Sequence, residues 1–265
     1  MTSLKTLVAA AVAALLAAAP ASGLGIPMQN YFKLWPTSIA GEKLNVILLD
    51  DATDPTKGVQ NARKFVSDDK VIGSAATPLG MAMADVAMEA QTVQLAATPM
   101  GLLPGKDAWT FRLPQGNDVM AHAVVALMKK QGVKMIGCLG YTDAYGEQWL
   151  KAITPEAEKN GIKVIAAERL ARADTSVTAQ ALKPTAANPD AILIVASGSG
   201  AAMPEKAIVE RGYKGKVYQT HATASKDLMR IGGKDVEGTF VVSGPSVVGD
   251  LLPDSHPASS WRWTS

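Results

Sequence analysis

The stretch Lys134-Met135-Ile136-Gly137-Cys138-Leu139-Gly140-Tyr141-Thr142-Asp143-Ala144-Tyr145-Gly146-Glu147-Gln148 decides how the rest of the 265-residue chain is read. From Met135 to Gly140 it is a short apolar run with glycines. The polar loop that follows offers Asp143 as a helix N-cap, with Glu147 in the next turn. Strand, loop and helix in that order open an α/β unit. In an open parallel sheet, ligands bind in the crevice beyond the carboxyl ends of the strands, and Tyr141 and Tyr145 stand at that place.

Outward from this unit the same rhythm recurs on both sides. Toward the N-terminus, residues 44–49 read as a strand ending at Asp50-Asp51, and Asp54-Pro55 supplies an N-cap and a first-turn proline for a helix to about residue 66. Val59, Ala62, Phe65 and Val66 recur there at helical spacing and would face a sheet. A very short strand at 71–73, a helix over 80–91, a strand at 93–96 and an extended connector at 111–114 lead to a helix over 117–132. Met81 and Met88, seven apart, read as core filling. Toward the C-terminus, helices alternate with strands at 163–168, 191–196, 216–219 and 239–243. Pro155 and Pro184 fall inside predicted helices, where an interior proline costs about 3 kcal/mol, so a break or kink is expected at each. The rhythm predicts an α/β protein of two lobes, the second starting near Gln115.

Lys and Arg total 26 against 24 Asp and Glu, a net charge of +2. That charge gives no field that argues for nucleic acid or an anionic membrane surface. The single cysteine, Cys138, lies in the apolar run; it forms no intramolecular disulfide and reads as a small core residue. Lys5 precedes an apolar stretch over 7–19, and Ala19-Pro20-Ala21 fits the small-x-small pattern of signal-peptide cleavage. Residues 1–21 are therefore expected to be a signal peptide outside the fold. No later run is long enough to span a bilayer, which predicts an exported, periplasmic protein with no stable membrane insertion after signal removal.

The patterns of common chemistries fail in turn. Gly198-x-Gly200 is followed by Met203 where a dinucleotide fingerprint needs glycine or alanine, and no acidic residue closes the next strand. Ser199 is flanked by Ser197 and Ala201, so it is no nucleophile elbow, and no Asp lies between Ser199 and His221 to complete a hydrolase-ordered triad. The histidines His122, His221 and His256 stand at metal-ligand spacing neither from one another nor from Cys138. His122 reads as a surface or structural residue; for His221, at a strand end, a ligand contact and a structural role stay equally open. What remains is a series of small and hydroxylated residues at successive strand ends: Ser74 and Thr77, Thr98 to Gly101, Tyr141 and Tyr145, Ser197 to Gly200, and Thr220 to Thr223. Turns favour such residues, and such loops also bring backbone N–H groups and hydroxyls to one place, which suits binding a small polar or anionic ligand more than turnover.

An ordered set of segments carries a resemblance: Leu48 to Pro55 with Ala62-Arg63-Lys64, Ile72-Gly73-Ser74, Phe111-Arg112, Asp143-Ala144-Tyr145-Gly146, Ala173-Asp174-Thr175-Ser176, Asn188-Pro189-Asp190-Ala191-Ile192, Gly212-Tyr213 and Val236-Glu237-Gly238. With these, the chain resembles the leucine/isoleucine/valine-binding family of exported solute-binding proteins, the receptors of branched-chain amino acid type ABC importers. The resemblance implies a periplasmic-binding-protein type I fold: two doubly wound parallel-sheet lobes, joined by three crossovers, closing on a small-molecule ligand and delivering it to ABC permease subunits. It implies no cofactor, no metal, no nucleic acid and no catalysis. By position, Ser74 and Thr77 at the first lobe's strand ends, Thr98, and the backbone of Met100 and Gly101 would meet the ligand from one side. Tyr145 would cover it from the second lobe, and Ser199 or Gly200 would sit opposite, with Ser197 a further candidate from the same strand-end loop. His221 falls where amino-acid-binding members carry an acidic residue for the α-amino group, which implies an organic acid, aromatic acid or amide ligand.

The alternatives are an α/β enzyme acting on a small carboxylic acid and a ligand-sensing receptor lobe. Compared with the family, the first strand is expected to be missing, the signal running straight into the remains of its loop. That gives an N-terminal lobe over 24–114 that is only partial, a fuller C-terminal lobe over 115–243, and a second crossover with an atypical tail over 244–265. Several buried aliphatic side chains at ~1.5 to 3 kcal/mol each make the lost strand worth on the order of 10 kcal/mol. The second lobe is therefore expected to fold well and the first to be marginal, as in a truncated copy.

Overall fold

The computed structural model describes residues 11–16, 26, 29–39, 41–52, 54–69, 72–74, 77–101 and 104–257. The first lobe holds β1 (Ala11–Leu16), a small hairpin of β2 (Ser38–Ile39) and β3 (Glu42–Lys43), and β4 (Asn45–Asp50). It continues with α1 (Pro55–Lys64), β5 (Ile72–Ser74), α2 (Thr77–Glu89), β6 (Gln94–Ala96) and β7 (Thr110–Arg112). The second lobe holds α3 (Asn117–Lys130), β8 (Met135–Tyr141), α4 (Ala144–Lys159), β9 (Lys163–Leu170) and α5 (Thr178–Ala186). It closes with β10 (Ala191–Val195), α6 (Ala202–Glu210), β11 (Lys216–Gln219), α7 (Lys226–Gly232) and β12 (Phe240–Val241).

The second-lobe sheet is wholly parallel in the order β9-β8-β10-β11-β12. In the first lobe β1 pairs in parallel with β4, from Ala11 opposite Asn45 to Leu16 opposite Asp50. Its other side lies against β5, which leads on through β6 to β7. With β1 between β4 and β5, though hydrogen-bonded to β4 alone among the described strands, its place corresponds to that of β8 between β9 and β10.

This overturns the expectation of a missing first strand. The run Ala11 to Leu16, expected to belong to an export signal, is a strand paired with β4 and lying beside β5. An uninterrupted apolar run is what a strand buried on both faces needs, and also what a signal needs, so pattern alone does not separate them. Ala19-Pro20-Ala21 and the tail over 258–265 lie outside the described residues.

Other differences are local. The expected connector at 111–114 begins as β7, paired in parallel with β6. Helix α2 starts at Thr77, three residues earlier than expected, because Pro78 suits a first turn where no N–H partner is needed. Helices α4 and α5 run through Pro155 and Pro184. Pro155 and Lys151, whose carbonyl loses its partner, both face solvent, and Pro184 falls in the last turn, where little helix is left to break.

Strand β8 is buried along its length after Met135, which is why it reads as an apolar run. Its helix is held close by Gly146, since a Cβ there would lie 1.8 Å from the Tyr141 carbonyl oxygen. The second-lobe core is one continuous cluster that includes Ile136, Leu139, Trp149, Ile194 and Tyr218. The first lobe has two smaller ones, Phe65, Leu79 and Met83 between α1 and α2, and Ala84, Ala96 and Met100 beneath β6. Where the chain crosses between lobes, the two crossovers touch: a Cβ on Gly244 would lie 2.6 Å from Gln115 Nε2.

Candidate ligand crevice between the lobes

On the second lobe the crevice is built from the carboxyl ends of β8, β9, β10 and β11. Asp143 begins it. One carboxylate oxygen caps α4, accepting from the N–H groups of Tyr145 (2.9 Å) and Gly146 (3.3 Å). The other pairs with Arg172, just past β9. The Arg172 guanidinium lies 4.1 Å from the centre of the Tyr141 ring and donates to Ser197 Oγ at 2.7 Å. One carboxylate thus ties the start of α4 to the loops after β9 and β10.

Tyr145 is 3% exposed and its hydroxyl donates to Thr220 Oγ1 at 2.7 Å; Thr220 donates in turn to the Ala196 carbonyl at 3.3 Å. Burial holds the Tyr145 phenol well above its ordinary range, against a smaller lowering by the bond to Thr220. A phenol so placed stays protonated, which suits covering a ligand and not proton abstraction.

His221 packs beside Tyr145 and Trp149, with ring centres 6.4 and 5.7 Å away. Among the described residues neither of its ring nitrogens has a hydrogen-bond partner. Burial pushes its pKa down to about 4, so at neutral pH it is an uncharged imidazole with one donor and one acceptor to offer.

The first-lobe wall is more self-contained. The buried hydroxyls of Thr77 and Thr98 lie 2.5 Å apart and bond each other. Met100 is buried and its carbonyl accepts from Arg112 Nη1 at 3.2 Å. The Gly101 N–H donates to Gln148 Oε1 at 2.8 Å, and Gln148 Nε2 donates to Met81 Sδ at 3.1 Å. Through this side chain α4 meets the first lobe.

The structure therefore groups Tyr145, Ser197, Gly200 and His221 around Tyr141 and Thr220; Gly200 comes so near that a Cβ there would lie 2.7 Å from Tyr141 Oη. Thr77, Thr98, Met100 and Gly101 lie on the first lobe, where Gly101 meets Gln148. Ser199 instead lines a groove of about 250 Å³ between α5 and α6, with Thr175, Met203 and Lys206. Ser74 ends β5, and its side chain lies outside the described residues. Sequence reasoning passed over Arg172 and Gln148. Gln148 carried a signal, since it falls three residues beyond Tyr145 and so on the same side of a helix; Arg172 follows a strand that runs two residues further than its expected end, to Leu170.

Among the described residues no group of three His, Cys, Asp or Glu side chains is placed to hold a metal ion, and no helix is long and apolar enough to cross a membrane.

With this geometry in view, comparison with known proteins is informative. The pattern of the family described as "periplasmic binding protein" matches residues 2–255, a span that includes β1. The chain is 24% identical over 210 residues to a Leu/Ile/Val-binding protein homologue of Brucella melitensis, covering 76% of this chain and only 56% of that protein's length. It is 42% identical to an extracellular ligand-binding receptor from Rhodopseudomonas palustris, with a TM-score of 0.89 over 93% of this chain and 70% of that one. A solute-binding protein of an ABC transporter from R. palustris, solved in complex with benzoate, shares the fold at 18% identity, with a TM-score of 0.70 over 80% of this chain and 62% of that one.

Proposed function

The chain belongs to the periplasmic binding protein family, and from that premise we propose that it is the extracytoplasmic solute-binding component of a branched-chain amino acid type ABC importer. On this reading it works in the periplasm, carries out no chemistry, and hands a small organic solute to permease subunits. The observation that carries the reading is the arrangement at the strand ends. Parallel strands in both lobes lead into polar loops, Gln148 of the second lobe reaches Gly101 and Met81 of the first, and the polar groups Tyr145, Thr220, Thr77 and Thr98 in those loops and helix starts are buried, hydrogen-bonded and un-ionised.

The solute we propose is an organic acid, an aromatic acid or an amide. His221 stands where the family resemblance places a carboxylate in receptors of free amino acids. A neutral imidazole cannot neutralise an ammonium group, but it can donate to a carboxylate or carbonyl oxygen. That the benzoate-bound solute-binding protein shares this fold is consistent with such a cargo.

A thermal-shift screen of the purified protein, followed by calorimetric titration of the hits, tests both statements. Stabilisation by aromatic or aliphatic carboxylates or amides, with little response to leucine, is expected. Tight leucine binding with no response to carboxylic acids would overturn the proposed cargo, and no response to any small solute would overturn the receptor role.

A further inference from the structure

We infer that Gln148 is a two-ended bridge that holds the lobes together before any solute enters, and so sets how readily this receptor closes. The inference rests on the solute-binding reading above, but it concerns the protein without cargo. Gln148 belongs to the second lobe, on α4, while both of its partners belong to the first: the Gly101 N–H at 2.8 Å and Met81 Sδ at 3.1 Å. The amide is spent at both ends. Its oxygen accepts and its NH2 group donates, and only this orientation satisfies both partners, since a backbone N–H cannot accept and a thioether cannot donate.

The bridge also occupies a group that a solute would otherwise use. The Gly101 N–H is bonded to Gln148, and the neighbouring Met100 carbonyl is bonded to Arg112. The first-lobe backbone at this point is therefore committed to the protein, and Gln148 contributes to affinity by favouring the closed arrangement without touching cargo. Gly101 lies beside the amide: a Cβ there would sit in ordinary contact with Gln148 Oε1, at 3.6 Å.

Two net hydrogen bonds, one of them to sulfur, correspond to about a tenfold change in the ratio of closed to open molecules. Since the affinity observed for a solute scales with the fraction of molecules in the competent state, it falls by at most that factor when the bridge is removed, and by less the more completely the parent is closed.

The test uses the full chain without solute. Cys138 is buried and its thiol is pushed up to about 12, so probes attach only at introduced cysteines, Gln60→Cys in the first lobe and Glu158→Cys in the second, both exposed. The distance distribution between these probes is recorded for the parent, for Gln148→Leu and for Met81→Leu, with circular dichroism confirming that each is folded. A shift of both variants toward longer distances, larger for Gln148→Leu, is expected. A parent-like distribution in Gln148→Leu overturns the inference. Should that variant fail to fold, Met81→Leu carries the question from the other lobe, and a parent-like distribution there overturns it equally. The solute screen is read separately: if no solute stabilises the parent the receptor role falls, whereas the ligand-free distances still report the bridge.

Discussion

At the scale of single residues, His221 carries the clearest solution signature. Its pKa is about 4 in the folded chain, depressed by burial, against an ordinary value of 6.5. Between those two values the unfolded chain binds the proton more readily, so stability rises with pH through that window and is fully present above it. The shift of about 2.5 units corresponds to about 3 kcal/mol, lost progressively between pH 6.5 and pH 4. Urea unfolding of the parent and of His221→Gln at pH 7 and pH 4.5 checks this: the parent's midpoint should fall on acidification by clearly more than the variant's. Tyr145 was legible in the sequence because its position depends only on the strand end before it and the cap at Asp143. Gln148 and Arg172 were not, because what they do depends on partners 47 and 29 residues away, and spacing along one element carries no information about such pairs.

At the scale of elements, the junction of β8 and α4 is the tightest point in the second lobe. An alanine at position 146 would place its Cβ against the Tyr141 carbonyl, a backbone atom that cannot swing aside, so α4 must move as a body. Gly146→Ala is expected to destabilise the protein by about 3 kcal/mol and to weaken solute binding as well, since Tyr145 and Gln148 ride on the displaced helix; denaturant unfolding and titration measure the two effects. The succession of the longer strands and helices was legible, because each satisfies its period over several residues, whereas the two-residue strands β2 and β3 are too short to show one. Strand β1 was not. Its composition serves a leader and a doubly covered strand alike, and only its register against Asn45–Asp50 decides between them. Interior prolines misled for a related reason, since their cost depends on whether the orphaned carbonyl meets water, as it does at Lys151.

Over the whole molecule the two lobes share a wiring order but not a core. The second has one continuous apolar cluster, the first two small ones joined by a sheet whose centre is β1. Hydrogen exchange should therefore show higher protection in β8, β10 and β11 than in β4 to β6. Removing residues 1–21 turns β4 and β5 into facing edges without a partner between them. That deletion should lower first-lobe protection at least about tenfold, roughly 1.4 kcal/mol, while leaving the second lobe unchanged; equal protection of both lobes in the parent would contradict the contrast. The Gln148 bridge has its own consequence at this scale, one of throughput. On the proposed role, a molecule held shut by its own side chain would present the same outer face empty as loaded, so idle molecules would compete with cargo carriers for a limited number of docking places. In vesicles carrying the importer, uptake should decline once receptor is supplied in large excess, and Gln148→Leu should push that decline to higher receptor concentrations: the bond that helps one molecule hold its cargo slows the population that delivers it.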